Sequence, residues 1–157
     1  MLKWLWLSAL VVALDQASKW LAEQRLDYGV PVPVLPSFNL TLLYNRGAAF
    51  SFLDEAGGWQ RWFFTAVALV AVVAILAWLR RLDAGRRWTA AGLALILGGA
   101  LGNLVDRILL GHVVDFIQVY YGSFYWPAFN IADSAISVGA AMLIWESLFH
   151  RGHEEEG

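Results

Sequence analysis

GNLVDRILLGHVVDFIQVYYGSFYWPAFNIADS, residues 102–134, is the stretch on which the fold turns. It sets three aspartates (Asp106, Asp115, Asp133), one arginine (Arg107) and two asparagines (Asn103, Asn130) where two strongly apolar segments meet. An ionisable side chain within a membrane segment is costly, so by default it marks a functional site. Asp115 and Asp133 are placed to face one another across the turn that joins the segments. Close carboxylates do not both ionise readily, so one keeps a proton near neutral pH and the other is free to act as base. Such a pair is equipped for water-mediated hydrolysis of an amide bond.

Composition frames that pair. Of 157 residues, 59% are hydrophobic and 15% charged, and the mean hydropathy is +0.56. A soluble domain of this size is nearer half apolar and a quarter charged. The excess lies in long runs, which points to a membrane protein. A net charge of -2 without a basic stripe speaks against nucleic acid as a partner. Nine tryptophans and five tyrosines suit the lipid headgroup region. Cysteine is absent, which excludes disulfides, thiolate metal sites and a cysteine nucleophile, and means that the chain cannot itself carry a cysteine-linked lipid.

Working outward, Trp4 to Leu14 is uncharged, and Lys3 ahead of it gives the start some likeness to a signal peptide. Asp15 and Gln16 stand where a small-residue cleavage site belongs, so the better reading is a spanning helix with a polar outer half. Asp15 and Lys19 are four apart on one face and can pair. In the long connection that follows, Pro31, Pro33 and Pro36 break helix. Phe38 to Tyr44 alternates and is rich in strand formers; Gly47 to Leu53 reads as a second extended run, with Asn45 to Gly47 as the turn or bulge between. Leu40, Leu42, Phe50 and Phe52 of that sheet rest on lipid or cover a site. Trp62 to Leu79 is an uncharged span, Trp88 to Val105 another, with Gly92, Gly98, Gly99, Ala100 and Gly102 permitting close helix contact. His150 to Gly157 is a polar tail. The expected fold is a mainly α membrane protein. It is one domain over 1–157, with spans at about 4–22, 61–79, 88–107 and 128–149. A small extracytoplasmic β-sheet, over about 30–54, lies on the membrane surface.

Arg80, Arg81, Arg86 and Arg87 place the second loop in the cytoplasm by the positive-inside rule. Both termini then lie inside, and the segments 23–61 and 106–127 outside. At 1.5 Å rise per residue, Asp15 lies about 18 Å along its helix from Lys3, and Asn103 about 22 Å from Trp88. Asp106 and Arg107 fall near the outer boundary, and Asp133 within the first two turns of a helix entering from outside. Apart from Glu146, the ionisable residues of the spans collect at one depth, which independent structural ion pairs have no reason to share. Asn103 shares a helical face with Arg107, which binds a substrate carbonyl or phosphate or simply neutralises Asp106. Asn130, three before Asp133, can hydrogen-bond it and steer the carboxylate. Phe129 and Trp126 read as interfacial anchors, and His112 as an ordinary turn residue.

Five motifs in order make the pattern specific: Asp15-Gln-x-x-Lys19, Asn45-x-Gly-Ala-Ala-Phe50, Gly102-Asn-x-x-Asp-Arg107, Val113-Val-Asp-Phe116 and Phe129-Asn-x-Ala-Asp133. Together, over about residues 4 to 149, they resemble the lipoprotein signal peptidase (signal peptidase II) family of bacteria. The resemblance implies an aspartic endopeptidase of the inner membrane, working as a monomer among membrane lipids with no metal or cofactor. Its substrate would be a prolipoprotein with diacylglycerol on the cysteine after the signal peptide, cut just before that cysteine. The family's catalytic aspartates match Asp115 and Asp133. Its supporting residues match Asp15, Lys19, Asn103, Asp106, Arg107 and Asn130, with Phe129 and Ala132 inside the same motif; its surface segment matches Asn45 to Phe50, including Gly47. Which aspartate is acid and which base is open, because such a dyad titrates as a unit. We expect Asn39 to Leu53 to form a cover over the dyad.

A small proton-coupled transporter is the rival reading, since four spans with buried carboxylates suit one. It calls for polar groups along a path across the membrane, and the cytoplasmic halves of the spans are nearly bare of them. Ser18 and Lys19 are adjacent on a helix, do not face each other, and cannot form a serine–lysine dyad. The orientation is testable. A reporter fused near Asp54 is expected to read out as external and one at Ala84 as cytoplasmic; the reverse would put the carboxylates on the other leaflet.

Overall fold

A computed structural model describes residues 1–47 and 57–149. A 3₁₀ turn, Leu2–Trp4, leads into α1 (Leu5–Arg25), β1 (Val32–Leu35) and β2 (Phe38–Asn45). Then follow α2 (Trp59–Arg81), α3 (Arg87–Leu109), β3 (Val113–Tyr121), β4 (Phe124–Tyr125) and α4 (Ile131–Phe149). The four long helices lie within a few residues of the four expected spans. Three of them, α2, α3 and α4, are long and apolar enough to cross a membrane. α1 is of similar length, but Asp15, Lys19 and Glu23 interrupt its apolar character.

α3 is the central helix and packs against α1, α2 and α4. Its glycines allow this. A Cβ on Gly92 would stand 3.1 Å from the Gly139 carbonyl oxygen, and one on Gly98 2.8 Å from the Ser8 carbonyl oxygen. A Cβ on Gly99 would run into the Ala132 carbonyl, and one on Gly102 would stand 2.5 Å from Asp15 Oδ2. Small residues therefore bring backbones together where apolar packing against lipid gives helices little reason to associate. Ala100, also expected at a contact, is only half-buried. Ile75, Leu79, Ala90, Leu93 and Leu97 fill the space between α2 and α3. The outer faces of α2 and α4 remain apolar and open, with Val70 and Leu148 each 70% exposed, as a surface meant for lipid should be.

The sheet is antiparallel, in the order β1-β2-β3-β4. Pro33 sits in edge strand β1, where its missing N–H costs no ladder bond. β2 pairs with β3 from Phe38↔Val119 to Asn45↔Val113, with an irregularity between Leu40 and Leu43 that sets Leu43 opposite Asp115. Two expectations need correction. The sequence reading leaves 106–127 as a connection, whereas Val113–Tyr121 is a strand and the partner of β2. Leu42 does not rest on lipid: it is 3% exposed and packs with Ala22, Val114 and Phe116 between sheet and α1, with Leu40 beside them. The second extended run after Gly47, with Phe50 and Phe52, and the polar tail lie outside the described residues.

Because the Gly99 contact is with backbone and cannot swing aside, Gly99→Ala is expected to destabilise the fold by about 1–3 kcal/mol. Thermal unfolding in detergent measures it, with Ala100→Gly as a control that leaves the α3–α4 contact in place.

Candidate active site

Lys19 lies on α1 and is 2% exposed. Its Nζ stands 2.7 Å from Asp15 Oδ2, 2.9 Å from Asp106 Oδ2 and 3.0 Å from Asn103 Oδ1. An ammonium has three protons, and each has an acceptor here. The carboxylates on either side are bound in turn. Asp106 Oδ1 accepts from Gln16 Nε2 at 2.9 Å, and its Oδ2 from the Val114 backbone N–H at 3.0 Å. Asp15 Oδ1 accepts from the Ala132 N–H at 2.9 Å. One cation thus ties α1 directly to α3 and, through the two carboxylates, to β3 and α4.

The start of α4 follows from its sequence. Asn130 Oδ1 accepts the Asp133 N–H at 2.9 Å, while Asp133 Oδ2 accepts the Asn130 N–H at 3.3 Å. This reciprocal arrangement, three residues apart, satisfies donors that a helix N-terminus otherwise leaves bare. Asp15 supplies the acceptor for Ala132, and the Ser134 hydroxyl donates to the Asn130 carbonyl at 3.0 Å. The spacing that predicts contact between Asn130 and Asp133 is therefore realised as a helix cap.

The same asparagine reaches the other aspartate. Asn130 Nδ2 lies 2.8 Å from Asp115 Oδ1, and 3.1 Å from Asn103 Oδ1. Asn103 Nδ2 donates to Asp133 Oδ1 at 2.8 Å, so its carbonyl oxygen faces Lys19 and its amide faces the aspartate. Asp115 lies on β3, 2% exposed. Burial, and next the charge of Asp133, push its carboxyl up to about 7. The Asn45 side chain also hydrogen-bonds Asp115, while Asn45 Oδ1 accepts the Gly47 N–H at 2.8 Å. Gly47 adopts φ 107, and a Cβ there would meet the Phe64 ring. The Arg107 guanidinium lies over that ring, 5.6 Å from its centroid.

The structure thus gathers Asp15, Lys19, Asn103, Asp106, Asn130 and Ala132 into one hydrogen-bonded network that reaches both Asp115 and Asp133, with Asn45 and Gly47 beside Asp115. Arg107 stands at the rim. It forms no ion pair with Asp106, whose paired cation is Lys19, but the charges of Asp133, Asp106 and Asp115 all act on its guanidinium. Phe129 contributes backbone: its N–H donates to the Ile117 carbonyl at 3.0 Å, and its carbonyl accepts from Ile117 at 2.9 Å, binding the entry of α4 to β3. Trp126 is exposed. His112 lies tilted against Tyr44 with ring centroids 4.2 Å apart, outside the hydrogen-bonded network. Sequence reasoning passes over Gln16 and the Val114 backbone. Gln16 lies inside the first motif and is recoverable in principle; a backbone donor has no residue signature. Among the described residues, no cluster of three or more histidines, aspartates and glutamates is disposed to hold a metal ion.

Comparison with known proteins bears on this geometry. A family model described as signal peptidase (SPase) II matches residues 7–149. A lipoprotein signal peptidase of Acinetobacter baumannii (strain ATCC 17978) is 56% identical over 146 residues, covering 93% of this chain and 83% of its own length. One from Aeromonas hydrophila subsp. hydrophila is 51% identical over 144 residues, covering 91% and 86%. A solved structure described as a bacterial membrane enzyme superposes with a TM-score of 0.87 at 28% identity, over 100% of this chain and 94% of that one. None of these relatives supports the transporter reading.

The lysine network generates a stability prediction. Lys19→Met leaves Asp15 and Asp106 buried without their cation, and is expected to cost about 3–5 kcal/mol. Adding Asp15→Asn and Asp106→Asn should recover part of the loss, since the buried charge then disappears with its partner. Thermal unfolding of the single and triple variants in detergent decides it.

Proposed function

The chain belongs to the signal peptidase II family, and from that premise we propose that Asp115 and Asp133 are the catalytic dyad of an aspartic endopeptidase. The observation that carries the proposal is Asn130. Its amide nitrogen holds Asp115 and its backbone nitrogen holds Asp133, so one buried residue fixes two carboxylates from different elements. A pair held in this way shares one proton near neutral pH, because ionising both would place two like charges in a desolvated site.

The chemistry then needs only the pair and a water. The ionised carboxylate takes a proton from water as the oxygen attacks the scissile carbonyl carbon, and the protonated carboxyl gives its proton to the carbonyl oxygen. Collapse of the tetrahedral intermediate breaks the C–N bond. The carboxyl that took the water proton gives it to the departing amine, while the other recovers its proton from the intermediate's hydroxyl. The dyad ends as it began. Lys19 does not touch the reacting atoms in this scheme; through Asn103 it orients Asp133, and through Asp106 it holds the backbone that carries Asp115.

The substrate in this reading is a prolipoprotein whose cysteine already bears diacylglycerol, cut on the N-terminal side of that cysteine. The enzyme works as a monomer in the bacterial inner membrane, as one domain, with α1 as a fourth span. Both termini are cytoplasmic and the dyad lies at the outer-leaflet boundary, where acyl chains anchored in lipid hold the scissile bond. Arg107 and Asn45 are disposed to meet the substrate backbone. The expected cover, Asn39 to Leu53, begins in β2, whose Leu43 lies opposite Asp115, and its residues 48–53 lie outside the described residues.

Asp115→Asn and Asp133→Asn should each abolish cleavage of a diacylglyceryl-modified prolipoprotein, read by gel shift, while the protein stays folded. Turnover of the parent should fall as pH rises through about 7, where the pair loses its proton. Stability follows the same group. Its folded-state value lies above the ordinary 3.8, so folding takes up a proton, and the parent loses stability between 3.8 and about 7, where the carboxyl ionises in the unfolded chain while the buried one stays protonated. Asp115→Asn is neutral throughout, so its melting temperature should gain on the parent's above about pH 7 and not below 3.8. Full activity in either variant would overturn the aspartic mechanism.

A further inference from the structure

Where α2 begins and α3 ends, a cavity of about 290 Å³ opens, lined by Arg46, Gln60, Arg61, Trp62, Gly111 and His112 among others. Its lining is mainly polar, and two of its walls are guanidinium groups. Arg61 is held firmly: its Nε donates to the Arg107 carbonyl at 2.8 Å and its Nη2 to the Ile108 carbonyl at 2.7 Å. These bonds fix the guanidinium plane across the C-terminal end of α3 and leave Nη1 on the side of Gly111, where a Cβ would stand 3.4 Å from it. Gly111 adopts φ 80, so the turn passes close to the guanidinium without a side chain in between. The ring of Trp62 lies under the same cation, 4.9 Å from its centroid to Cζ.

Among the described residues, the charges here are unbalanced. The ion pairs among the described residues are Lys19–Asp15, Lys19–Asp106 and Arg86–Glu146, and neither Arg46 nor Arg61 takes part in one. α2 opens on Gly58 without a side-chain cap, so the first-turn N–H groups add a positive end to the same region. The imidazole of His112 donates to the Leu110 carbonyl, and its Nε2 is shielded from solvent without a partner. Trp59 and Trp62, 50% and 63% exposed, mark this end of α2 as headgroup depth. Two arginines presenting planar donors, beside tryptophan at a bilayer surface, match a phosphodiester better than a carboxylate in water.

We propose that the cavity between Arg46 and Arg61 is a binding site for the phosphate of an anionic membrane phospholipid, separate from the dyad. The proposal rests on the orientation adopted above, which places the start of α2 and the end of α3 at one bilayer face. Bound phosphate would brace Arg61, and with it the last carbonyls of the helix that carries Arg107.

The test uses purified protein in nanodiscs of phosphatidylcholine, with or without phosphatidylglycerol, followed by native mass spectrometry of retained lipid and by thermal unfolding. Phosphatidylglycerol should be retained preferentially and should raise the melting temperature. Arg46→Gln should weaken retention about tenfold, as expected for one charge-assisted contact. Arg61→Gln should also lose retention, but Arg46→Gln is the decisive variant because Arg46 holds no helix end. Equal retention of the two lipids, unchanged retention in Arg46→Gln, or an equal thermal shift from inorganic phosphate in phosphatidylcholine discs would each overturn the lipid assignment. Running the same measurements on Asp115→Asn keeps this outcome apart from the fate of the peptidase reading, since that variant should bind lipid as the parent does.

Discussion

The interaction on which the rest depends is the coordination of one buried ammonium by two carboxylates and an amide. Lys19 is almost fully enclosed, and so are Asp15 and Asp106. Charges taken so far from water are tolerated only when each is paired and its remaining hydrogen-bonding capacity is met. Here the pairing reaches across the chain. Asp15 is on the lysine's own helix, Asp106 is on α3, and each carboxylate has oxygen capacity left over to bind a backbone N–H of a further element. The cost of burying the charges is what makes the geometry specific, because a docking that separated them would leave a buried charge without its partner.

Asn130 extends that constraint to the proposed chemistry. It caps α4 through its backbone and carbonyl, and it holds Asp115 through its amide. The side chain that starts the helix is therefore the one that sets the distance between the two aspartates. Asn103 plays a parallel part, accepting a hydrogen bond from Lys19 and donating one to Asp133. The dyad has no freedom of its own; its position is inherited from the packing of the helices that bring these amides together.

Much of this is legible in the sequence, and the limit has a physical shape. Local spacing speaks plainly. Four apolar runs locate four helices, the interval from Asp15 to Lys19 predicts an ion pair, and that from Asn130 to Asp133 predicts a contact. Pairings distant along the chain do not announce themselves. Val113–Tyr121 carries a strong strand composition, yet its partner Phe38–Asn45 lies some seventy residues earlier, and the nearer run after Gly47 offers an easier hairpin. Leu42 is misjudged for the same reason. An alternating pattern does not say which face is inside, and an irregular register between Leu40 and Leu43 decides it. Backbone donors such as those of Val114 and Ala132 leave no trace in residue identity at all.

The placement of the charges also bears on how such a chain enters a bilayer. α1 precedes α3 in the chain and carries Asp15 and Lys19 one turn apart, so the helix can hand both to lipid as a neutral couple. Asp106 has no cation on its own helix within that reach, for Arg107 is its sequence neighbour and faces elsewhere. It must find Lys19, and it can do so only once α3 has been threaded and the glycine face of that helix lies against α1. The meeting of the first and third helices is therefore what neutralises Asp106, and until it occurs that carboxylate lacks the cation it has in the folded chain.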